Sequence, residues 1–146
     1  MLYRQRLATA LQDTYCPFCN FHTAEIIAEG KYFFVIPARA PYSRDHILII
    51  PKRHVIFLKE LKKAEEKELR ALAEEWDKKL QQHHSGCVIL LRDAFAQSKT
   101  GKSIDHLHLH VIPDCEVGVA NDNQRSFFSD GAYLREAKRI KGEFLS

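Results

Sequence analysis

The chain has 146 residues, 45% of them hydrophobic and 28% charged, with a formal net charge of +3. That length lets one domain bury a sizeable core without disulfide staples, and the balance excludes a disordered, collagen-like or low-complexity chain. The mild charge suits anionic small molecules and lacks the concentrated basic stripe of a nucleic-acid binder.

Residues 1–6 are basic but are followed by a mixed polar segment, so the apolar region of a signal peptide is missing. No apolar run approaches the ~20 residues that cross a bilayer, and a cytoplasmic protein without membrane contact is expected. Leu2, Leu7, Ala10 and Leu11 recur at helix-like intervals and predict a short amphipathic helix over 2–13. The turn-rich segment that follows carries Cys16-Pro17-Phe18-Cys19. In a reducing compartment such a pair points to metal or redox chemistry, whereas Cys87 and Cys115, alone in apolar surroundings, read as core residues.

Strands are expected over 24–28 and 32–37, joined by the turn Glu29-Gly30-Lys31 in a hairpin. A loop over 38–45 leads to a short buried strand, His46 to Pro51, after which Lys52-Arg53-His54 leaves it. One long helix is predicted over 58–84, with Leu58, Leu61, Leu69, Leu72, Trp76 and Leu80 on a common stripe among Lys and Glu. His83 and His84 at its C-terminus are expected to interact with the helix dipole rather than with a metal. Residues 87–92 form another apolar strand, 93–103 a loop, and 132–144 an amphipathic tail after the loop Asn121-Asp122-Asn123. The pattern is an α+β domain with a mainly antiparallel sheet, one long helix and shorter terminal helices.

The strongest functional pattern is Ile104-Asp-His-Leu-His-Leu-His-Val-Ile-Pro113. On an extended strand His106, His108 and His110 share one face, roughly 7 Å apart, while Leu107, Leu109 and Val111 share the other and can enter a core. Such a row suits phosphate or metal. Thr100-Gly-Lys-Ser103 resembles the end of a phosphate-binding P-loop, but Ala96 stands where that pattern needs glycine and a strand follows where it needs a helix. A flexible Gly101, the Lys102 cation and the Ser103 hydroxyl beside the histidines still suit phosphate oxygens, with a plain turn as the alternative. Cys16 and Cys19 supply two soft ligands for a tetrahedral zinc; His54 and His106 are the candidates to complete it, and a redox pair is the competing reading.

His106-Leu-His108-Leu-His110-Val-Ile resembles the motif of the histidine triad, or HIT, superfamily, and Asp45-His46-Ile-Leu-Ile-Ile-Pro51-Lys-Arg-His54 resembles its upstream segment. The likeness covers about residues 16–114 of a single domain spanning 1–146. It implies a HIT-like fold and nucleotidyl transfer at an α-phosphorus, with His108 as the nucleophile and His110 and His46 against the phosphate. Ser103, Lys102 and Arg92 are the expected substrate-binding residues. The same resemblance implies a structural zinc on Cys16, Cys19, His54 and His106, a nucleotide or nucleotide-conjugate substrate, and a homodimer. A hydrolase of nucleoside phosphoramidates or dinucleoside polyphosphates is the leading expectation. A nucleotidyltransferase or phosphorylase, and a zinc-stabilised nucleotide-binding module without turnover, are the alternatives. The chain departs from the pattern in four places: no acid stands near Ala38, where many members hold ribose hydroxyls, Asp45 replaces a glycine, Lys102 replaces a glutamine, and the usual asparagine or glutamine earlier in the loop has no match, Arg92 and Asp93 lying nearby in a longer loop. Arg39, Arg44, Arg92, Lys99 and Lys102 are candidates for an unusually basic pocket.

Overall fold

A computed structural model describes residues 16–117 and 125–145; the helix expected over 2–13 and the loop Asn121-Asp122-Asn123 lie outside them. Five strands form one antiparallel sheet: β1 (Ala28–Glu29), β2 (Phe33–Pro37), β3 (Ile47–Pro51), β4 (Cys87–Leu91) and β5 (Leu109–Pro113), in the order β1-β2-β3-β5-β4. Among the described residues two α-helices, α1 (Lys63–Gln81) and α2 (Asp130–Leu145), pack with the sheet in an α+β fold.

Strand periodicity decides the two faces. Val35, Ile47, Ile49, Leu107, Leu109 and Val111 point one way and meet Leu69, Trp76 and Leu80 of α1 and Ala137, Ile140 and Phe144 of α2. Trp76, Leu80 and Ile140 are fully buried there, each contributing roughly 1.5–3 kcal/mol by area. The intervening residues Ile36, Leu48 and Ile50 form a smaller cluster on the opposite face under Phe18, Phe21, Ile26 and Phe34. That second face, across the sheet from α1, carries the histidines.

Three local expectations are corrected. The strand expected over 24–28 is instead a 3₁₀ turn, Thr23–Glu25, followed by the two-residue β1. His22 accepts from Ala24 N–H while Glu25 accepts from His22 N–H, a reciprocal cap that competes with strand pairing. The expected hairpin is nonetheless present, with Ala28 opposite Val35 and Glu29 opposite Phe34; Glu68 of α1 accepts the Lys31 and Tyr32 N–H groups at 2.5 and 2.6 Å and clamps its turn. The long helix begins at Lys63, not at 58, because Glu60 accepts the Ile56 and Phe57 N–H groups and folds Leu58–Glu60 into a 3₁₀ turn. It also stops at Gln81, so His84 does not cap it.

His84 instead bridges two carboxylates: Nε2 lies 2.7 Å from Asp45 Oδ2 and Nδ1 3.0 Å from Asp114 Oδ2. Arg139 of α2 donates to the other Asp45 oxygen at 2.6 Å and also pairs with Glu136 and Glu143, while Asp114 accepts from Ser85 N–H and hydroxyl. Burial raises the Asp45 carboxyl, but the bonds from His84 and Arg139 outweigh it and hold the group below its ordinary 3.8. Burial lowers the His84 ring, and its two carboxylate bonds outweigh that and raise it above 6.5. The Asp45 share of stability is present above 3.8 and lost as pH falls through its folded value; the His84 share is complete below 6.5 and lost as pH rises through its folded value. Asp45→Asn, at a residue 3% exposed, is expected to cost about 2 kcal/mol in urea unfolding by removing the charge-assisted bonds from His84 and Arg139. The difference from wild type is expected to peak between pH 3.8 and 6.5 and to shrink on either side. A cost independent of pH would contradict this linkage.

Candidate active site

β3 and β5 are neighbours, with Leu48 opposite His110 and Ile49 opposite Leu109, so His46 just before β3 comes beside His110. Leu107 is anchored by its N–H to the Val55 carbonyl at 2.7 Å. Ladder pairing of β5 starts at Leu109, so His106 and His108 precede the paired strand rather than lying within it. Alternation persists through them: Leu107 is in the core, and His106, His108 and His110 are 0%, 5% and 7% exposed on the other face.

Hydrogen bonds fix the proton on each ring. Tyr42 N–H donates to His46 Nδ1 at 3.1 Å, so the His46 proton sits on Nε2, which donates to His110 Nδ1 at 2.9 Å. The His110 proton is therefore on Nε2, a buried donor without a partner among the described residues. His108 Nδ1 faces the His106 carbonyl at 2.7 Å and must donate, leaving the lone pair on Nε2. Burial is the main force keeping these rings neutral: it pushes His108 down to about 4 and His46 to about 3, and His110 well below its ordinary value. The His106 carbonyl raises His108, and Lys102 and Arg92 lower it further. His108 and His110 stand edge to face with centroids 5.0 Å apart, and Phe18 lies 5.0 Å from His108 on the side toward the cysteines. The result is one buried imidazole whose Nε2 lone pair is available beside another whose N–H has no partner among the described residues.

A second constellation adjoins the first. Cys16 precedes the 3₁₀ turn Pro17–Cys19 and Cys19 ends it, and their sulfurs share a cluster with His54 and His106 whose ligand atoms all lie within 4.8 Å of one another. Cys16 and Cys19 Sγ are each 3.4 Å from His106 Nδ1, and His54 Nδ1 is 3.1 Å from both Cys19 Sγ and His106 Nδ1. A tetrahedral zinc with S and N ligands has edges of roughly 3.4–3.8 Å, close to this spacing. His106 Nε2 donates to the Pro51 carbonyl at 2.8 Å, which turns the lone pair of Nδ1 into the cluster. The donor set and its orientation fit a metal ion. Burial and the neighbouring Cys19 push the Cys16 thiol up to about 11, unlike the low-pKa thiolate of a redox pair.

Lys102 is 3% exposed and donates to the Ile56 carbonyl at 2.8 Å, with its charge reaching His106 and His108. Ser103 is half-buried beside it. Arg92 donates to the Thr100 carbonyl at 2.8 Å, and Gly101, with φ of +81°, supplies the left-handed turn that lets the loop close over that guanidinium. Of the other expected basic residues, Arg39 pairs with Asp130 and stacks on Tyr133, Arg44 reaches Glu143 at 3.4 Å, and Lys99 is exposed. Tyr42 and Arg125 escaped sequence reasoning: the Arg125 guanidinium stacks on the Tyr42 ring at 3.9 Å, and Arg92 lies 3.4 Å from the Tyr42 hydroxyl. Nothing local in a tail arginine announces that contact.

A family model described as the HIT domain matches residues 21–117. The chain belongs to the HIT family. Its curated HIT relatives include the bis(5'-adenosyl)-triphosphatase of Dictyostelium discoideum, 28% identical over 102 residues that cover 69% of this chain and 67% of that protein. The AP-4-A phosphorylase of Mycobacterium tuberculosis is 30% identical over 91 residues, 60% of this chain but 45% of the phosphorylase. Among solved structures, a zinc-bound histidine triad protein from Mycobacterium smegmatis superposes with a TM-score of 0.62 at 21% identity, covering 97% of this chain and 92% of that one. That likeness is one of fold. Among the described residues of this HIT chain, no helix is long and apolar enough to cross a membrane.

Proposed function

We propose that this HIT chain is a nucleotide hydrolase that cleaves a nucleoside phosphoramidate or dinucleoside polyphosphate at its α-phosphorus through His108. The observation that carries the reading is the bond from His108 Nδ1 to the His106 carbonyl, which leaves the Nε2 lone pair available and supports it as the nucleophile. Nε2 attacks phosphorus, the bond to the leaving group breaks, and that group departs with the electron pair, an amine taking up a proton from solvent as it leaves. In the nucleotidyl-histidine the ring is a cation, stabilised where Nδ1–H meets the carbonyl. Water then adds to phosphorus and loses a proton, and the P–N bond breaks to return its pair to Nε2. The His110 Nε2–H, buried and unpartnered among the described residues, donates to a phosphate oxygen, with His46 holding that tautomer in place. Ser103, Lys102 and Arg92 supply further donors and charge around the phosphate.

The cluster of Cys16, Cys19, His54 and His106 holds one structural zinc, supported by its donor set and spacing. When bound, the ion fixes the segment whose carbonyl orients His108. A homodimer through the outer edge of β4 is supported by that strand's end position and by Ile89, 48% exposed on it; light scattering that gives the mass of one chain at micromolar concentration would contradict it.

The similarity to a named phosphorylase keeps a second reading, in which orthophosphate or a sugar phosphate replaces water as acceptor. Both are tested by turnover of adenosine 5'-phosphoramidate and diadenosine triphosphate with and without orthophosphate. A hydrolase gives the same rate in both; a phosphorylase speeds up severalfold and yields a nucleoside diphosphate. No product from zinc-loaded protein would leave nucleotide binding without turnover.

A further inference from the structure

Three non-glycine residues among the described ones hold a positive φ, and two of them, Asp45 at +69° and Asp114 at +47°, are the carboxylates that His84 bridges. Asp45 is the third residue of the turn closed by His46 N–H on the Ser43 carbonyl at 3.3 Å. A positive φ at that position is the geometry that ordinarily takes glycine, because a Cβ crowds the backbone there. The turn feeds directly into the histidine relay. His46, next in the chain, accepts from Tyr42 N–H and donates to His110, and its carbonyl accepts from Ala38 N–H at 2.9 Å where the pairing of β3 with β2 begins. Asp114 follows β5, the strand of His110, and its N–H is held by the Gly86 carbonyl at 2.9 Å. With Ile47 opposite Val111, the two left-handed residues lie at the same end of the β3/β5 pair.

We propose that Asp45, His84, Asp114 and Arg139 form a positioning brace that locks the turn before β3 in its left-handed form and so aims His46 at His110. The inference rests on the nucleotidyl-transfer reading above and deepens it by adding residues that act through the His46–His110 pair. Both ring nitrogens of His84 face carboxylates, which only accept, so the ring holds a proton on each and ties the two turns together. Arg139 takes the second Asp45 oxygen at 2.6 Å and is itself held by Glu136 and Glu143, so α2 secures the brace from the core side of the sheet. Asp45 is 3% exposed, and charge-assisted bonds at such a site are little screened. The aspartate that stands in place of the glycine of the HIT pattern thus supplies through its side chain the fixed turn that glycine makes possible by lacking one. Relaxation of Asp45 to negative φ would rotate the peptide before His46 and carry Nε2 away from His110 Nδ1. His110 would then lose its fixed tautomer, and with it the Nε2–H aimed at the phosphate. That donor matters most where charge develops, so the brace acts on the transition state more than on binding.

Steady-state kinetics on diadenosine triphosphate test this in the zinc-loaded full chain, at a temperature where circular dichroism shows each variant folded. Asp45→Ala and His84→Ala are each expected to lower kcat about tenfold or more, with KM within about twofold of wild type. Asp45→Gly also lacks the carboxylate but admits the left-handed turn, and is expected to recover about fivefold of the alanine loss. A role in stability alone would give the glycine and alanine variants the same kcat once both are folded. Nitrogen-15 spectra of the histidine rings read the brace without turnover. The wild type is expected to hold His46 and His110 each with its proton on Nε2, and His84→Ala to show mixed tautomers at both. His106, bonded to the Pro51 carbonyl, is the internal control and is expected to be unchanged. Equal kcat in the glycine and alanine variants, a loss confined to KM, or unaltered His46 and His110 tautomers in His84→Ala overturns the brace. Should the wild type turn over no nucleotide, the nucleotidyl-transfer reading fails and the spectra alone decide: mixed tautomers in His84→Ala retain the brace, and unaltered ones reject it.

Discussion

His108→Asn is expected to lower turnover at least about 10³-fold, the scale of losing a covalent nucleophile, while leaving nucleotide binding measurable. Asparagine retains an N–H that can reach the His106 carbonyl, so the local strand entry is preserved, yet it offers no nitrogen lone pair able to attack phosphorus. The neighbouring change His110→Asn removes a donor rather than the nucleophile, and its loss is expected to be smaller, about 10²- to 10³-fold, as for a single oxyanion donor. Steady-state kinetics on diadenosine triphosphate at matched zinc content check the order. If His110→Asn were the more damaging change, or if His108→Asn kept a tenth of wild-type kcat, the assignment of Nε2 as nucleophile would fail.

The second large effect concerns the cysteine knuckle. Structural zinc sites contribute on the order of 10 kcal/mol to folding, comparable with the whole stability of an ordinary domain. Cys16→Ser with Cys19→Ser is therefore expected to lower Tm by more than about 10 °C, and extraction with a strong chelator to do the same. Turnover is expected to fall as well, because His106 belongs to the cluster through Nδ1 while its carbonyl accepts the bond that orients His108. Elemental analysis of protein purified without chelator is expected to find about one zinc per chain. Zinc-free protein with wild-type Tm and turnover would contradict both roles.

The fold was readable where a residue's environment follows from its near neighbours. Leu107, Leu109 and Val111 alternate with histidines, and that period alone sends them into the core with Ile47 and Ile49. Leu69, Trp76 and Leu80 marked the buried stripe of α1 for the same reason. Errors arose where a side chain from a distant part of the chain takes the decisive bond. His84 looked like a helix-end residue, but its partners Asp45 and Asp114 are 39 and 30 residues away. Leu58 looked helical until the Glu60 carboxylate claimed two N–H groups and tightened the backbone. The cluster of Cys16, Cys19, His54 and His106 was readable because its residue types admit few uses, and the structure brings all four together. Tyr42 and Arg125 are common residues in loop and tail, and only the folded chain stacks one on the other.

The central claim, covalent transfer to His108, is tested most directly by trapping the intermediate. Wild-type protein mixed with diadenosine triphosphate is quenched under alkaline denaturing conditions within one turnover, and its intact mass and peptides are measured. The account predicts a chain heavier by one adenylyl group, carried on His108, absent in His108→Asn, and lost on acid treatment. Product formation at full rate with an unmodified His108, or with the adduct on another residue, would contradict it.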